Sequence, residues 1–520
     1  MPTQTTTPLL QLHPDDNIAV LTVSLEAGRE LETRRQGTIT LREPIEFGHK
    51  VAIAEISAGQ RILKFGQTIG FATQTIQPGE WVHAHNVGLG DLTLDYAFAS
   101  EIPPAPEPIL NRTFAGIRRA DGRVATRNYL ALVSTVNCSA TTSKYIAKEI
   151  NESLLADYPN IDGIVALTHK GGCAFEYGGT DHQQLARTLA GFAKHPNIGG
   201  YLVMGLGCEA SQGSFLEEQH GLVQLETPGS NGKSRKPPVV MNIQDYGGVR
   251  KTVDRAVAVL AEMLPRVNDV VREPIPASEI ILGTECGGSD GNSGITANPA
   301  VGVASDLLVA CGATSILAET TEIYGGEHLM TRRAVSQQVG QKLIDLIDWW
   351  KEYAGKFGIE IDHNRSVGNK KGGLTTIYEK SLGAIAKGGS TALKQVYQYA
   401  EAVTEKGFVI MDTPGYDPAS VTGMIAGGAN MIVFTTGRGS CFGCKPVPTI
   451  KVATNTPMFR RMESDMDINA GRILEGASVQ EVGEEIFERI LAVAGGEHTK
   501  SEAQGIGDEE FCPWQWGPVL

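Results

Sequence analysis

From Asn17 to about Val87 the apolar residues come in short runs, NIAVLTV, TITL, KVAIAEI, RILKFG and WVHAHNV, broken by glycine and proline turns. Runs of this length and composition predict short strands, and residues 1–100 read as a small β domain. The next segment, SEIPPAPEPILNR, is proline-rich and aperiodic. Residues 101–113 are therefore expected to form an extended, semi-rigid linker. From Phe114 onward the texture changes to strand, glycine-rich turn and helix in alternation, the pattern of crossover units on a parallel sheet. TRNYLALVST leads into SATTSKYIAKEI, and IDGIVALTH precedes DHQQLARTLAGFAKH. After GGYLVMGLG and the polar loop PGSNGKSRKPP come the strand VVMNIQ and the amphipathic stretch GVRKTVDRAVAVLAEML. That unit spans 114–275. The same style returns over 276–520 in EIILGTEC, TSILAETTE, the helical AVSQQVGQKLIDLIDWWKEYAGKFG, KGFVIMDTPG and ANMIVFTTGRG. The fold class expected is α/β, with a small N-terminal β domain followed by two α/β domains whose sheets are largely parallel. No fixed-period repeat is evident.

Composition narrows the setting. Of the 520 residues, 41% are hydrophobic and 20% charged, an ordinary globular mixture long enough for about three domains. A net charge of -14 without a Lys/Arg block disfavours nucleic-acid binding. The opening residues lack the pattern of a signal peptide, and no window approaches the roughly 20 apolar residues of a membrane span. A cytoplasmic protein acting on a small molecule is expected, most simply as a symmetric homo-oligomer such as a dimer.

Four strand candidates run straight into a cysteine, at Cys138, Cys173, Cys208 and Cys286. Strand carboxyl ends are where α/β proteins assemble their chemistry. With His169, Glu209, Glu285 and Asp290 beside them, the four thiols suggest a metal centre, and thiolates favour iron over magnesium or calcium. His169 is a further candidate ligand, and the cysteines equally suit an iron-sulfur cluster. The segment GTECGGSDGNSGITANPAVG offers Ser289, Asp290, Asn292 and Asn298 to a polar ligand. In VGNKKGGLTT, Lys370 and Lys371 sit between glycines that disfavour a regular helix; both suit an anionic substrate, and a desolvated lysine can accept a proton. Arg438 in FTTGRGS can clamp a carboxylate. His83 and His85 are expected on one face of an extended strand, where they can bind metal or shuttle protons. His169, Lys170, Lys371, His83 and His85 are thus the acid-base candidates. The CxxC of Cys441 and Cys444 lacks the context of a zinc ribbon or a thioredoxin-like site. Asp465, Asp467 and Asn469 read equally as hydrogen-bonding ligands or a helix-capping turn.

Taken together, these strings resemble the altronate/galactarate dehydratase family over nearly the whole chain. GHKVAI, KFGQTIGFAT and GEWVHAHN resemble its SAF-type module; GRVATRNYL, VNCSA and VMGLGCE resemble its second domain. ECGGSDGNSGITANPAVG, GNKKGGLTT, FTTGRGS, PTIKVATNT and DMDINAGRI resemble its carboxyl-terminal domain. Within the family, MDTPGYDPASVTG and HTKSEAQGIGDEEF look more like the altronate enzymes. The resemblance implies loss of water from D-altronate to give 2-dehydro-3-deoxy-D-gluconate, with Fe2+ as the usual requirement and Mn2+ as a substitute. Galactarate is the nearest competing substrate. Two readings from other classes stand beside it. A nucleotide-dependent oxidoreductase should carry a dinucleotide fingerprint, which is missing. A sugar-acid-binding regulatory protein would explain the polar loops without the cysteines.

Overall fold

A computed structural model of the chain describes residues 8–34, 37–174, 176–223 and 237–516. Residues 228–236 of the polar loop expected between the third and fourth strands of the second domain lie outside these. Residues 9–88 form short antiparallel strands throughout, among them Ile18–Leu21, Lys50–Ala52, Arg61–Lys64 and Gln67–Ala72. One rule shapes this β unit. Four turns each carry an inward aliphatic residue three positions before a glycine: Leu25 and Gly28, Ile45 and Gly48, Ile56 and Gly59, Ile76 and Gly79. The glycines have φ of 81°, 79°, 79° and 85°, left-handed backbone that costs a Cβ-bearing residue dearly. The aliphatic residues pair as Leu25 with Ile45 and Ile56 with Ile76, each pair in its own apolar core. The four turns stand 20, 11 and 20 residues apart, so the pair of turns recurs after 31 residues, a two-copy repeat that the sequence pattern alone left unread.

The second unit holds a four-stranded parallel sheet in the order Gly163–Leu167, Tyr129–Ser134, Ile198–Gly205, Val240–Asn242. Alternation along Tyr129–Ser134 divides its neighbours. Leu130 and Leu132 meet helices Asn137–Ser153 and Val249–Asn268. Ala131 and Val133 instead join a core with helix Thr180–Ala193 that continues into the C-terminal unit. There Gly191 allows a close approach, since a Cβ would lie 2.3 Å from the Ala426 carbonyl oxygen. The sequence boundary near residue 275 is also bridged. Strand Arg272–Pro276 pairs antiparallel with Thr113–Arg118, and the buried Arg127 guanidinium forks onto Glu502, Nε to Oε1 at 2.6 Å and Nη2 to Oε2 at 2.9 Å.

The C-terminal unit is built on seven parallel strands ordered Leu393–Tyr397, Gly407–Met411, Thr314–Leu317, Ile281–Cys286, Met431–Thr436, Thr449–Ala453, Ile468–Asn469. Nearly continuous apolar runs such as Met431–Phe434 are what a sheet covered on both faces requires. Helices Ala297–Ala310 and Val479–Ala494 cover one face. The β unit and helix Gln337–Lys356 share another core with Leu317, Phe408 and Ile410. From Ile281–Cys286 the chain first grows the sheet to one side and later returns to add Met431–Thr436 on the other. This is a topological switch point, and the crevice beyond the carboxyl end of Ile281–Cys286 is where such sheets receive ligands. No described helix is long and apolar enough to cross a membrane.

Candidate active site

At that switch point the sheet delivers Glu285 and Cys286 on the last two residues of their strand. Glu319 follows two residues after Thr314–Leu317, in left-handed backbone with φ 64°. A single turn of 3-10 helix then supplies Glu322. Helix Ile377–Ala384 and the turn after it bring Lys380 and Lys387, seven residues apart and therefore on one face. Asp417 opens helix Asp417–Ala426.

The contacts are close. Cys286 Sγ lies 3.4 Å from Glu319 Oε2 and 3.4 Å from Glu322 Oε2. Lys387 Nζ donates to Glu319 Oε2 at 2.6 Å, Lys380 Nζ to Glu322 Oε1 at 2.5 Å and to Asn364 Oδ1 at 3.0 Å. Ser420 donates to Glu285 Oε2 at 2.7 Å. Four carboxyl groups therefore face two ammonium groups, all of them buried except the half-buried Asp417. The protonation equilibria respond accordingly. Burial, then the Glu319 and Asp417 charges, push Glu285 well up. Burial would raise Glu319 too, but Lys387 holds it below the ordinary range. Burial followed by Glu319 raises Cys286, and burial with Glu319 and Glu322 takes Asp417 to about 7.

A cleft of about 300 Å³ opens onto this group, lined among others by Cys286, Glu322, His363, Asn364, Lys380 and Asp417. Two sets have ligand atoms all within 4.8 Å of one another, Cys286 with Glu319 and Glu322, and Glu285 with Glu319 and Asp417. The Oε1 atoms of Glu285 and Glu319 are buried with no hydrogen-bond partner. Surplus carboxylate and orphaned oxygens fit a divalent cation, and the mixed oxygen and sulfur donors suit ferrous iron or manganese.

The residues singled out in the sequence divide among several places. Cys286 does not join the other three strand-end cysteines: it is buried in the seven-stranded sheet, whereas Cys138, Cys173 and Cys208 are exposed beyond the carboxyl ends of strands in the four-stranded one. His169 has both ring nitrogens engaged by backbone, Nε2 with the Ser134 carbonyl at 2.8 Å and Nδ1 accepting from Gly171 N at 3.2 Å. Lys170 beside it is exposed. Asp290 is saturated by protein donors, Thr454 at 3.0 Å, Asn455 at 3.0 Å and Ser293 at 3.1 Å. Asn298 is likewise spent on Gly383 and Thr435. Ser289, Asp290 and Asn298 border a void of about 10 Å³, room for one water. Asn292 abuts Gly48 of the β unit.

Lys370 and Lys371 end a short helix, Val367–Lys371, that their glycine neighbours do not prevent. A capping box between Ser366 and Asn369 starts it. Both lysines are exposed, as is Arg438, which packs beside Gly372. The expected strand at His83 and His85 stops at Val82, because the Asn86 side chain bonds back to His83 N and the Trp81 carbonyl and closes a turn. His83 stacks on Trp81 at 4.8 Å, and His85 is exposed. Asp467 accepts from Lys451 N and Lys500 N, and Asn469 caps a 3-10 turn.

Comparison with known proteins agrees along the whole chain. Residues 277–519 match the model D-galactarate/Altronate dehydratase, C-terminal; residues 116–268 match D-galactarate dehydratase/Altronate hydrolase, second domain; and residues 7–89 match the Altronate/galactarate dehydratase SAF domain. The chain belongs to the altronate/galactarate dehydratase family. Galactarate dehydratase (L-threo-forming) of Escherichia coli K12 is 38% identical over 507 residues, 96% of this chain and 95% of that protein. Altronate dehydratase of Bacillus subtilis 168 is 34% identical over 497 residues, 95% and 96% of the two chains. Altronate dehydratase of E. coli K12 is 33% identical over the same length and shares. The geometry of the cleft brings in groups that the sequence reading passed over: Glu319, Glu322, Lys380, Lys387 and Asp417. A usable signal existed in ETTE directly after a strand and in two lysines seven apart, but acids and lysines are too common for those strings to stand out.

Proposed function

We propose that the cleft at Cys286 and Asp417 dehydrates a six-carbon sugar acid, with D-altronate as substrate and 2-dehydro-3-deoxy-D-gluconate as product. As a member of its family the chain is an enzyme of the hydro-lyase type. The observation that carries the reading is one buried group of carboxylates, thiol and lysines opening at the switch point into a cavity of small-molecule size.

Elimination needs a proton removed from C2, next to the carboxylate, and hydroxide expelled from C3. Lys380, facing the cleft between Glu322 and Asn364, receives the substrate carboxylate and stabilises the charge that develops on it. Asp417 faces the same space without an ion-pair partner among the described residues, and takes the C2 proton. His363 on the exposed rim offers a proton to the departing hydroxide. Cys286, Glu319 and Glu322 would hold ferrous iron or manganese, which would supply Lewis-acid stabilisation of the negative charge that develops next to the carboxylate.

The monocarboxylate is favoured because Arg365, which lines the cleft with Lys380, already faces Asp362, so the lining offers one cation to the substrate and not two. Galactarate is the second reading. The exposed Lys370, Lys371 and Arg438 lie on adjoining loops where a far carboxylate can be met. Keto-acid formation measured on both acids decides between them: kcat/KM is expected to favour D-altronate by at least about tenfold, or about 1.4 kcal/mol in the barrier. The opposite preference establishes the second reading. Tight binding of either acid with no turnover under ferrous iron would leave a sugar-acid-binding regulator.

A further inference from the structure

The three strand-end cysteines of the second unit are brought to one end of the sheet by adjacent strands and by hydrogen bonds between their loops. Strands Gly163–Leu167, Tyr129–Ser134 and Ile198–Gly205 are adjacent and parallel, with residues 163–167 and 198–204 in register with 129–134. Asn137 N, one residue before Cys138, donates to the Gly171 carbonyl at 3.0 Å. Gly172, one residue before Cys173, accepts from Ala210 N at 3.1 Å and Ser211 N at 3.3 Å. Ala210 stands two residues beyond Cys208. Gly172 is pressed so closely on Thr135 and Val136 that a Cβ would lie 2.3 Å from the Thr135 carbonyl oxygen.

Buried Glu209 fixes the third loop from beneath, accepting from Thr135 Oγ1 at 2.7 Å and from Gly207 N at 2.7 Å. Ala174 follows Cys173 in left-handed backbone, φ 61°, a conformation that non-glycine residues adopt uncommonly. All three thiols are exposed. Cys138 also sits in the first turn of helix Asn137–Ser153, which has no acidic residue there to compete for the positive end of its dipole. Ala210 N also donates toward the Cys173 sulfur, which ties that thiol to the loop of Cys208.

Their separation is informative. A single tetrahedral ion with metal-sulfur bonds of about 2.3 Å needs its sulfurs about 3.8 Å apart. Among the described residues, the sets with ligand atoms all within 4.8 Å are the two carboxylate-containing ones of the cleft, so at least one pair of these sulfurs stands farther apart than that. Wider spacing suits a cofactor that brings its own bulk, one corner to each cysteine. We infer that Cys138, Cys173 and Cys208 hold an iron-sulfur cluster of the four-iron type by three of its irons, leaving the fourth to a non-protein oxygen ligand on the open side. The site is separate from the cleft at Cys286, and it stands or falls independently of which sugar acid the cleft accepts.

The test uses the full chain, purified anaerobically or reconstituted with ferrous iron and sulfide. About four irons and four acid-labile sulfides per chain are expected, with broad visible absorption and a paramagnetic signal on reduction. Cys173→Ser and, separately, Cys208→Ser are expected to lose most of the sulfide and the colour while circular dichroism stays unchanged, since both side chains are exposed. Cys441→Ser, an exposed thiol elsewhere in the fold, is expected to retain both. Zinc, iron without labile sulfide, no bound metal after reconstitution, or a full cluster in both serine variants would each overturn the inference. None of these readouts depends on turnover, so a failed dehydratase assay and a failed cluster are told apart.

Discussion

Replacing Glu379 with glutamine is expected to destabilise the protein by about 3–5 kcal/mol, measured as the loss of unfolding free energy in urea. Glu379 is fully buried between two lysines of the β unit, with Lys50 Nζ at 2.9 Å from Oε2 and Lys64 Nζ at 2.8 Å from Oε1. Thr375 adds two more donors, N at 2.9 Å and Oγ1 at 2.7 Å. Taking three charges out of water is costly, and their mutual attraction offsets that cost only while the set is complete. Glutamine leaves two ammonium groups facing a neutral amide. A triple variant with Lys50→Met, Lys64→Met and Glu379→Leu should recover most of the loss, because an apolar trio has no desolvation penalty. A loss below about 1 kcal/mol for Glu379→Gln would show that the lysines find water.

The same triad sets an acid limit. Burial would raise the Glu379 carboxyl, but Lys50 and Lys64 hold it far below its ordinary 4.5. Its folded pKa is depressed, so its contribution is fully present above about pH 4.5 and drains away as the pH falls below that value. Lys50 acts in a different window. Burial takes it down to about 8 from 10.5 despite Glu379, so between those values the unfolded chain binds more protons and stability rises with pH. Melting temperatures followed from pH 7 to pH 3 should fall most steeply below 4.5 in the wild type, and this acid-limb slope should be reduced in the triple variant.

Asp417→Asn is expected to lower kcat by about 100- to 10,000-fold, the range for loss of a positioned proton acceptor. Its effect on stability has the opposite sign. Asp417 stands among Glu285, Glu319 and Glu322, and removing its charge relieves repulsion that now falls on Glu285. A large drop in kcat with an unchanged or raised melting temperature is the signature of a group kept for chemistry at a cost to folding. Wild-type kcat in the variant would remove Asp417 from the reaction.

Much of the architecture was legible because both α/β units follow simple periodicities. Leu130 and Leu132 alternate with Ala131 and Val133, and the helical spacing of GVRKTVDRAVAVLAEML resolves into Val249–Asn268. Strands as short as Ile468–Asn469 carry no period at all and were invisible. The site was harder to read. Cys286 was recognisable as a strand-end residue, yet its partners Glu319 and Lys387 lie 33 and 101 positions on and meet it only through sheet order. Asp290 and Asn298 illustrate the reverse failure. Their polar, glycine-rich setting looks like ligand chemistry, and the fold uses it to bond loops to one another.

Helix Ile377–Ala384 carries Glu379 toward the β unit and Lys380 toward the cleft, on consecutive residues. Anchorage of the amino-terminal module and alignment of the reactive ammonium are thus one rigid lever, with the fulcrum between two adjacent Cα atoms. A chain severed in the linker would recover its chemistry only by re-docking the freed module, so cutting far from the crevice would make catalysis depend on concentration.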